Sequence, residues 1–226
     1  MSTRLRAAHP RAVVFDLDGT LIDSLPDLAV AVNRMLADAG RDGLAPDEIK
    51  PMIGDGAATL VTRAFDARGG LPGPDVAPFL RNFLDHYEPH STVLTRPWEG
   101  VRETLAELKA RDIKLGVCTN KPTKATHDVL RVLELSHYFD VVVGGDDVPA
   151  IKPDPRHVTA VLDRLGALPS AAVMVGDSIN DVLAGKGAGL KVVVTSFGYT
   201  RIPPHELGAD AVIDRFEYLT KVIEAL

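Results

Sequence analysis

The sequence is poor in the features that mark secreted, membrane-bound and disulfide-stabilised proteins. It has one cysteine, Cys118, which cannot form an internal disulfide and lies in an apolar run typical of a small buried residue. No apolar run approaches the roughly 20 residues that span a bilayer. The basic stretch from Met1 to Arg11 lacks the apolar segment that follows the basic residues of a secretory signal. We therefore expect a cytoplasmic protein with no membrane partner.

Basic charge is also scarce. The net charge is −6 and no cluster of lysines and arginines occurs, which argues against a nucleic-acid partner. A hydrophobic content of 46% with 25% charged residues is ordinary for a globular protein and excludes disordered and fibrous classes. At 226 residues the chain is long enough for one large domain or two small ones. A monomer and a homodimer are both compatible with the sequence.

Short apolar runs alternate with helical stretches after about residue 96. They show no polar alternation, which is typical of parallel strands covered on both faces, and they comprise Ile113 to Cys118, Val141 to Val143, Ala172 to Gly176 and Lys191 to Thr195. An earlier run from Pro10 to Asp16 predicts the first strand. This pattern predicts an α/β fold with a doubly wound, mainly parallel, Rossmann-like sheet.

The segment between Ser24 and His90 shows helical periodicity and no strand signal. Apolar residues at helical spacing predict helix faces turned to a core, in three stripes that include Leu28, Val32 and Leu36, then Leu60, Val61 and Phe65, then Phe79, Phe83 and Tyr87. We expect a small all-helical domain over residues 20–95, inserted into a catalytic core formed by residues 1–19 and 96–226.

Two carboxylates follow the first predicted strand, in the run Asp16-Leu17-Asp18-Gly19-Thr20. Acids this close repel each other unless a cation is near or one keeps its proton, and both conditions suit phosphate chemistry. An acidic turn closed by glycine is the structural alternative.

Other polar residues follow later predicted strands or open helices. Thr119 and Asn120 suit phosphate oxygens but are also common in turns and helix caps. Lys152 lies on extended backbone before a proline, where it could neutralise a phosphoryl group or be a surface lysine. Asp177 and Asp181 would share one side of a first helical turn, where acids also complement the helix dipole.

The order of these four segments resembles the haloacid dehalogenase-like hydrolases, whose motifs are D-x-D-G-T, a strand ending in T-N, K-P and G-D-x-x-x-D. The resemblance implies that the inserted helices form the family's cap domain. Further similarity, to the phosphoglycolate phosphatase branch, lies in Asp16 to Leu28, Ile53 to Ala57, Phe197 to Tyr199 and Leu207 to Asp210.

The resemblance implies a role for each motif residue. Asp16 would be the nucleophile that forms an aspartyl-phosphate, and Asp18 the general acid and base. Thr119 and Asn120 would hold phosphate oxygens, while Lys152 would stabilise the charge of the phosphoryl group and of Asp16. Mg²⁺ would be the cofactor, and the residues expected to hold it are Asp16, the Asp18 carbonyl, Asp177 and, directly or indirectly, Asp181.

The insert contains the predicted substrate loop, Gly54-Asp55-Gly56. Its glycines permit close backbone approach, and the helix starting at Ala57 offers amide groups suited to an anion. Lys50 and Arg63 are candidate cations for a substrate carboxylate. A plain turn between helices is the alternative.

The predicted function is Mg²⁺-dependent hydrolysis of a small phosphorylated metabolite, with 2-phosphoglycolate as the first candidate. Rival enzymes are a sugar-phosphate or pyrophosphate phosphatase and a β-phosphoglucomutase-type phosphoryl transferase. A non-catalytic phosphate- or partner-binding protein on the same fold is the alternative of a different class.

Overall fold

A computed structural model describes residues 10–226, so most of the basic amino-terminal stretch lies outside the described residues. The strands are β1 (Ala12–Phe15), β2 (Ile22–Asp23), β3 (Arg96–Pro97), β4 (Lys114–Cys118), β5 (Val141–Val143), β6 (Ala172–Gly176), β7 (Lys191–Thr195) and β8 (Ala211–Ile213). The helices are α1 (Leu25–Asp38), α2 (Pro46–Ile49), α3 (Ala57–Asp66), α4 (Ala77–Tyr87), α5 (Val101–Ala110), α6 (Thr123–Val132), α7 (Pro155–Leu165), α8 (Ile179–Gly187) and α9 (Leu219–Ile223). No helix among these is long and apolar enough to cross a membrane.

Six strands form one parallel sheet in the order β5-β4-β1-β6-β7-β8. The predicted α/β class and its mainly parallel sheet are confirmed. β1 occupies the centre, with Val14 level with Gly116 of β4 and Met174 of β6. The edge strand β8 was not predicted, because its three residues give too short an apolar run to stand out.

Both faces of the sheet are buried, because successive side chains of each strand point to opposite faces. Val13 and Phe15 of β1 belong to the apolar cluster on one face, together with side chains of α5 and α9. Ala12 and Val14 belong to the cluster on the other face, with side chains of α7 and α8. This two-sided burial explains why the strands lack polar alternation.

Helices α1 to α4 pack around a separate apolar cluster of their own, which contains members of all three predicted stripes. The helical segment leaves and rejoins the sheet region through β2 and β3, which form a two-residue antiparallel pair. This packing supports the proposed division into a core and an inserted cap. α1 begins at Leu25, shortly after β2 and ten residues beyond Phe15, the last residue of β1.

Candidate active site

The end of the central strand positions the first pair of carboxylates. Asp16 directly follows β1, and its backbone N–H donates to the carbonyl oxygen of Val175 in β6 at 2.9 Å. Gly19 has φ +87°, and a Cβ at this position would lie 2.5 Å from an Asp177 carboxylate oxygen. Glycine is therefore required here both for the backbone conformation and for the close approach of the first motif to the last.

Lys152 lies between two carboxylates and is itself 2% exposed. Its Nζ is 2.8 Å from Asp16 Oδ1 and 2.7 Å from Asp181 Oδ1. Burial alone would lower the pKa of Lys152, but Asp16 and Asp181 together raise it above its usual range. The lysine is thus held as a buried cation beside Asp16, and the alternative of a solvated surface lysine is excluded.

Asp16, Asp177 and Asp181 form a buried cluster in which one oxygen of each lies within 4.8 Å of the others. Burial raises the pKa of Asp16 to about 7, with Lys152 opposing the rise and Asp181 adding to it. Burial, Asp181 and Asp16 also raise the pKa of Asp177 well above its usual range. The one ammonium group of Lys152 does not balance this excess of negative charge, so the cluster could hold a metal ion, and its all-oxygen ligands suit a hard cation such as Mg²⁺.

The two acids of the last motif, Asp177 and Asp181, differ in how many hydrogen bonds they accept. Asp181 Oδ2 accepts from the backbone N–H of Asp177 at 3.1 Å and from both the N–H and the hydroxyl of Ser178, at 3.0 and 2.7 Å. Its Oδ1 accepts from Lys152. Asp177 accepts from the hydroxyl of Thr20 at 3.4 Å and from the backbone N–H of Tyr199. The hydrogen bonds of Asp181 therefore orient Lys152 and the loop that contains Asp177.

Thr119 and Asn120 follow β4, next to β1, as predicted. Thr119 is buried, and its Oγ1 accepts from the backbone N–H of Lys121 at 3.2 Å. The Asn120 amide donates to the carbonyl oxygens of Gly54 and Lys152, both at 2.9 Å, and its Oδ1 accepts from the Lys152 N–H at 3.0 Å. The Asn120 side chain thus joins the insert to the backbone that carries Lys152.

A second buried lysine, which was not predicted from the sequence, contacts Asp18. Lys121 Nζ lies 3.1 and 3.2 Å from the two Asp18 carboxylate oxygens and donates to Tyr87 Oη at 2.7 Å. The same ammonium group lies 4.6 Å from the centroid of the Tyr87 ring. Burial would lower the pKa of Lys121, but Asp18 and Tyr87 raise it above its usual range. Lys121 follows Asn120 directly, so the rule that strand ends converge could have found it.

A pocket lies between the insert and the carboxyl edge of the sheet. Its polar lining comes mainly from Asp16, Asp18, Thr119, Asn120 and Lys121. Most of its apolar lining comes from the insert and includes Leu28, Ile53, Leu60, Phe83 and Leu84. The pocket is therefore lined by carboxylates on the side of the core and by apolar side chains on the side of the helical insert.

The predicted substrate loop borders this pocket through its glycines, since Gly54 and Gly56 are lining residues. The Asp55 carboxylate is directed to protein groups instead. It accepts from Asn180 Nδ2 at 2.5 Å and from Arg201 at 3.0 Å, both in the core, and it pairs with Arg63 of α3. Asp55 thus connects the insert to the core.

The two candidate cations of the insert, Lys50 and Arg63, do not line this pocket. Arg63 pairs with Asp55 and donates to the Met52 carbonyl oxygen at 3.1 Å. Lys50 Nζ lies 5.9 Å from the centroid of the Tyr199 ring. Among the described residues, Lys121 is the only lysine or arginine that lines the pocket.

Tyr199 connects the acidic cluster to the start of the insert. Its hydroxyl donates to Asp23 Oδ1 at 2.7 Å and accepts from the backbone N–H groups of Ser24 and Leu25, at 2.7 and 3.0 Å. Its own backbone N–H donates to Asp177. Tyr199 lies in a segment that resembles a family branch, but nothing local in the sequence predicts this long-range contact.

The sheet, the acidic cluster and the four ordered motifs define a class of hydrolytic enzyme. The family model described as "Haloacid dehalogenase-like hydrolase" matches residues 13–195. The chain belongs to this family.

Relatives of known sequence show to which branch of this family the chain is similar. The chain is 47% identical to the phosphoglycolate phosphatase of Rhodospirillum rubrum, an alignment that covers 93% of this chain and 89% of the relative. It is 43% identical to the phosphoglycolate phosphatase of Caulobacter vibrioides, with 96% and 91% covered. The resemblance to the phosphoglycolate phosphatase branch is confirmed, and the chain is a phosphatase.

Solved structures agree with the fold. The crystal structure of a predicted phosphoglycolate phosphatase from Haemophilus somnus 129PT has a TM-score of 0.90 at 34% identity, with 95% of this chain and 98% of that chain covered. The crystal structure of CbbY from Rhodobacter sphaeroides in complex with phosphate has a TM-score of 0.80 at 28% identity, with 93% and 96% covered.

Proposed function

We propose that this phosphatase hydrolyses 2-phosphoglycolate to glycolate and phosphate through an aspartyl-phosphate on Asp16, with Mg²⁺ as cofactor. The observation that carries the proposal is the convergence of Asp16, Asp18, Lys152 and Asp177 at one sheet edge, beside a pocket closed by the insert. Relatives with the name phosphoglycolate phosphatase align over nearly the whole chain, which favours this substrate over the sugar phosphates and pyrophosphate.

The nucleophile in this proposal is a carboxylate oxygen of Asp16. It attacks phosphorus, the bond from phosphorus to the glycolate oxygen breaks, and Asp16 becomes an acyl-phosphate. Lys152 stays 2.8 Å from Asp16 and stabilises the negative charge on the transferring group. Without such a cation, a phosphate dianion would be repelled by the acidic cluster.

Asp18 is the general acid when the ester bond breaks and the general base when water attacks the acyl-phosphate. It lies two residues from the nucleophile with its side chain 13% exposed, and it lines the same pocket. Asp18 enters the first step carrying a proton, and as the bond from phosphorus to oxygen breaks it gives this proton to the glycolate oxygen. It then removes a proton from the water that attacks the acyl-phosphate, which releases phosphate and restores Asp16. General acid and base catalysis of this kind contributes roughly 10²- to 10⁴-fold to the rate.

The metal would be held by carboxylates of Asp16 and Asp177 and by the backbone carbonyl of Asp18. The charge of the buried acids supports such a cation. When bound, Mg²⁺ supplies positive charge against the phosphate dianion and the carboxylates around it. Asp181 supports the site indirectly in this proposal, because its two oxygens accept hydrogen bonds from Lys152, Ser178 and the Asp177 N–H.

A substrate panel tests the proposed function. The specificity constant kcat/KM should be higher for 2-phosphoglycolate than for glucose 6-phosphate, β-glucose 1-phosphate, xylulose 1,5-bisphosphate, pyrophosphate and p-nitrophenyl phosphate. Activity should disappear in chelator and return with added Mg²⁺. A sugar phosphate as the best substrate would contradict the substrate assignment. Absence of any phosphatase activity with Mg²⁺ would contradict the enzymatic assignment and favour a binding protein.

A further inference from the structure

We infer that Lys121 is the specificity-determining residue of this phosphatase, and that its ammonium group binds a carboxylate carried by the substrate next to the scissile phosphate ester. This inference rests on the proposed function, because it takes Asp18 as the group that protonates the leaving oxygen. It assigns substrate recognition to the core lysine, in place of the cations of the insert.

Geometry places Lys121 where that carboxylate must lie. The Nζ atom is 3.1 Å from the carboxylate of Asp18, the group proposed to touch the leaving oxygen. In phosphoglycolate a single methylene carbon separates this oxygen from the carboxylate. A cation in contact with Asp18 is therefore within reach of the carboxylate of a substrate whose ester oxygen faces Asp18.

The hydrogen bonds of Lys121 show how such a ligand would bind. An ammonium group has three N–H donors. Among residues 10–226, Lys121 Nζ has three acceptor atoms, which are the two carboxylate oxygens of Asp18 and Tyr87 Oη. The two contacts with Asp18, at 3.1 and 3.2 Å, are longer than the contact with Tyr87, at 2.7 Å. A substrate carboxylate in the pocket that Lys121 lines would therefore take the place of one of the two Asp18 oxygens.

The low solvent exposure of Lys121 strengthens the attraction between its charge and a substrate carboxylate. The side chain is only 5% exposed, and apolar side chains of the insert such as Leu84 and Phe83 line the same pocket. Little water can screen the ammonium group there, so an ion pair with a substrate carboxylate is stronger than one at the surface. Tyr87 of α4 fixes the ammonium position through its hydroxyl, 2.7 Å away, and its ring.

The test compares two substrates that differ only in the charge of the tail, 2-phosphoglycolate and its neutral carboxamide, phosphoglycolamide. The wild-type enzyme should prefer the carboxylate by roughly 10²- to 10³-fold in kcat/KM, because truncating one partner of a desolvated charge pair costs this much. Lys121→Met should bring the ratio of the two kcat/KM values close to one, while Lys121→Arg should retain a preference for the carboxylate.

Two further variants serve as controls. Lys124→Met makes the same change in a lysine that is 73% exposed on the adjacent helix, and should leave the substrate ratio unchanged. Tyr87→Phe removes the hydroxyl and keeps the Lys121 charge, so the preference for the carboxylate should weaken and keep its direction. Thermal denaturation of each variant checks that the protein remains folded.

Each outcome separates this inference from the proposed function. A carboxylate preference that persists in Lys121→Met overturns the inference and leaves the proposed function intact. An equal loss for both substrates also overturns it, since Lys121 would then act only through Asp18. Wild-type enzyme that hydrolyses both substrates equally well contradicts the inference alone. Wild-type enzyme that hydrolyses other phosphomonoesters and neither of these two contradicts both.

Discussion

Replacing Lys152 with methionine should destabilise the protein in a way that added Mg²⁺ reverses. The substitution keeps most of the side-chain volume and removes the cation between Asp16 and Asp181. Without the ammonium group, the buried carboxylates of Asp16, Asp177 and Asp181 lie together with no positive charge to balance them. Stability should therefore respond to any cation that enters the cluster.

The size of the effect follows from the two short contacts. A unit charge pair at the 2.8 Å distance of Lys152 and Asp16 attracts by about 6 kcal/mol at an effective dielectric constant near 20, and the contact with Asp181 is similar. Desolvation of the ammonium group offsets much of this attraction. Breaking a buried pair typically costs about 3–5 kcal/mol. Since Asp16 has a pKa raised to about 7 and can take up a proton, we expect a loss near the lower end, about 3 kcal/mol.

The assay is thermal denaturation in chelator and again with Mg²⁺. A loss of about 3 kcal/mol should lower Tm by roughly 6–12 °C for a chain of this size, and Mg²⁺ should raise the Tm of Lys152→Met more than that of the wild type. Lys124→Met, which removes an exposed lysine with surface ion pairs, is the control and should keep a Tm near the wild-type value. A Tm of Lys152→Met equal to that of the wild type in chelator would refute the charge argument.

Three further outcomes are expected. Asp18→Asn should slow the hydrolysis of alkyl phosphates far more than that of p-nitrophenyl phosphate, whose leaving group needs no proton, and equal losses would argue against its role as acid. Asp55→Asn weakens the contact of the insert with Arg201 and Arg63, so KM for phosphoglycolate should rise about 3- to 10-fold with a smaller change in kcat; an unchanged KM would show that this contact does not hold the insert closed. Burial and Lys152 lower the pKa of His157 to about 4, so the unfolded state binds more protons between about pH 4 and 6.5. Stability should therefore decrease as the pH falls through this window, by up to about 3 kcal/mol, and His157→Asn should show a smaller decrease in urea denaturation; identical pH profiles would exclude His157 as the cause.

Local sequence patterns were sufficient for most of the sheet and for the acidic cluster. β4, β6 and β7 are apolar runs buried on both faces, and β5 is a short apolar run at the edge of the sheet that is partly buried. Each of these runs is visible in the sequence without knowledge of its partners. Asp16 and Asp177 could be placed together because the carboxyl ends of adjacent parallel strands lie at one edge. The same reasoning extended to Lys121 would have found the second buried lysine.

Contacts across the interface between insert and core could not be predicted in this way. Tyr87 and Tyr199 lie at the ends of a helix and of a loop, and their hydroxyl partners are 34 and 176 residues away in the chain. The local sequence around Asp55, a loop flanked by glycines, is the same for a residue that contacts substrate and for one that contacts protein. Only the positions of Asn180 and Arg201 show that Asp55 contacts protein. Such pairings depend on how the insert packs on the sheet, which no local period or motif encodes.

Trapping of the phosphorylated enzyme tests the central claim most directly. Wild-type protein mixed with 2-phosphoglycolate labelled in the phosphate, in the presence of Mg²⁺, is quenched in acid within the first turnover and digested. The account predicts that label is attached covalently to the peptide containing Asp16, and that Asp16→Asn carries none although it folds normally. Rapid release of labelled phosphate with no label on Asp16, or undiminished turnover by Asp16→Asn, would contradict it.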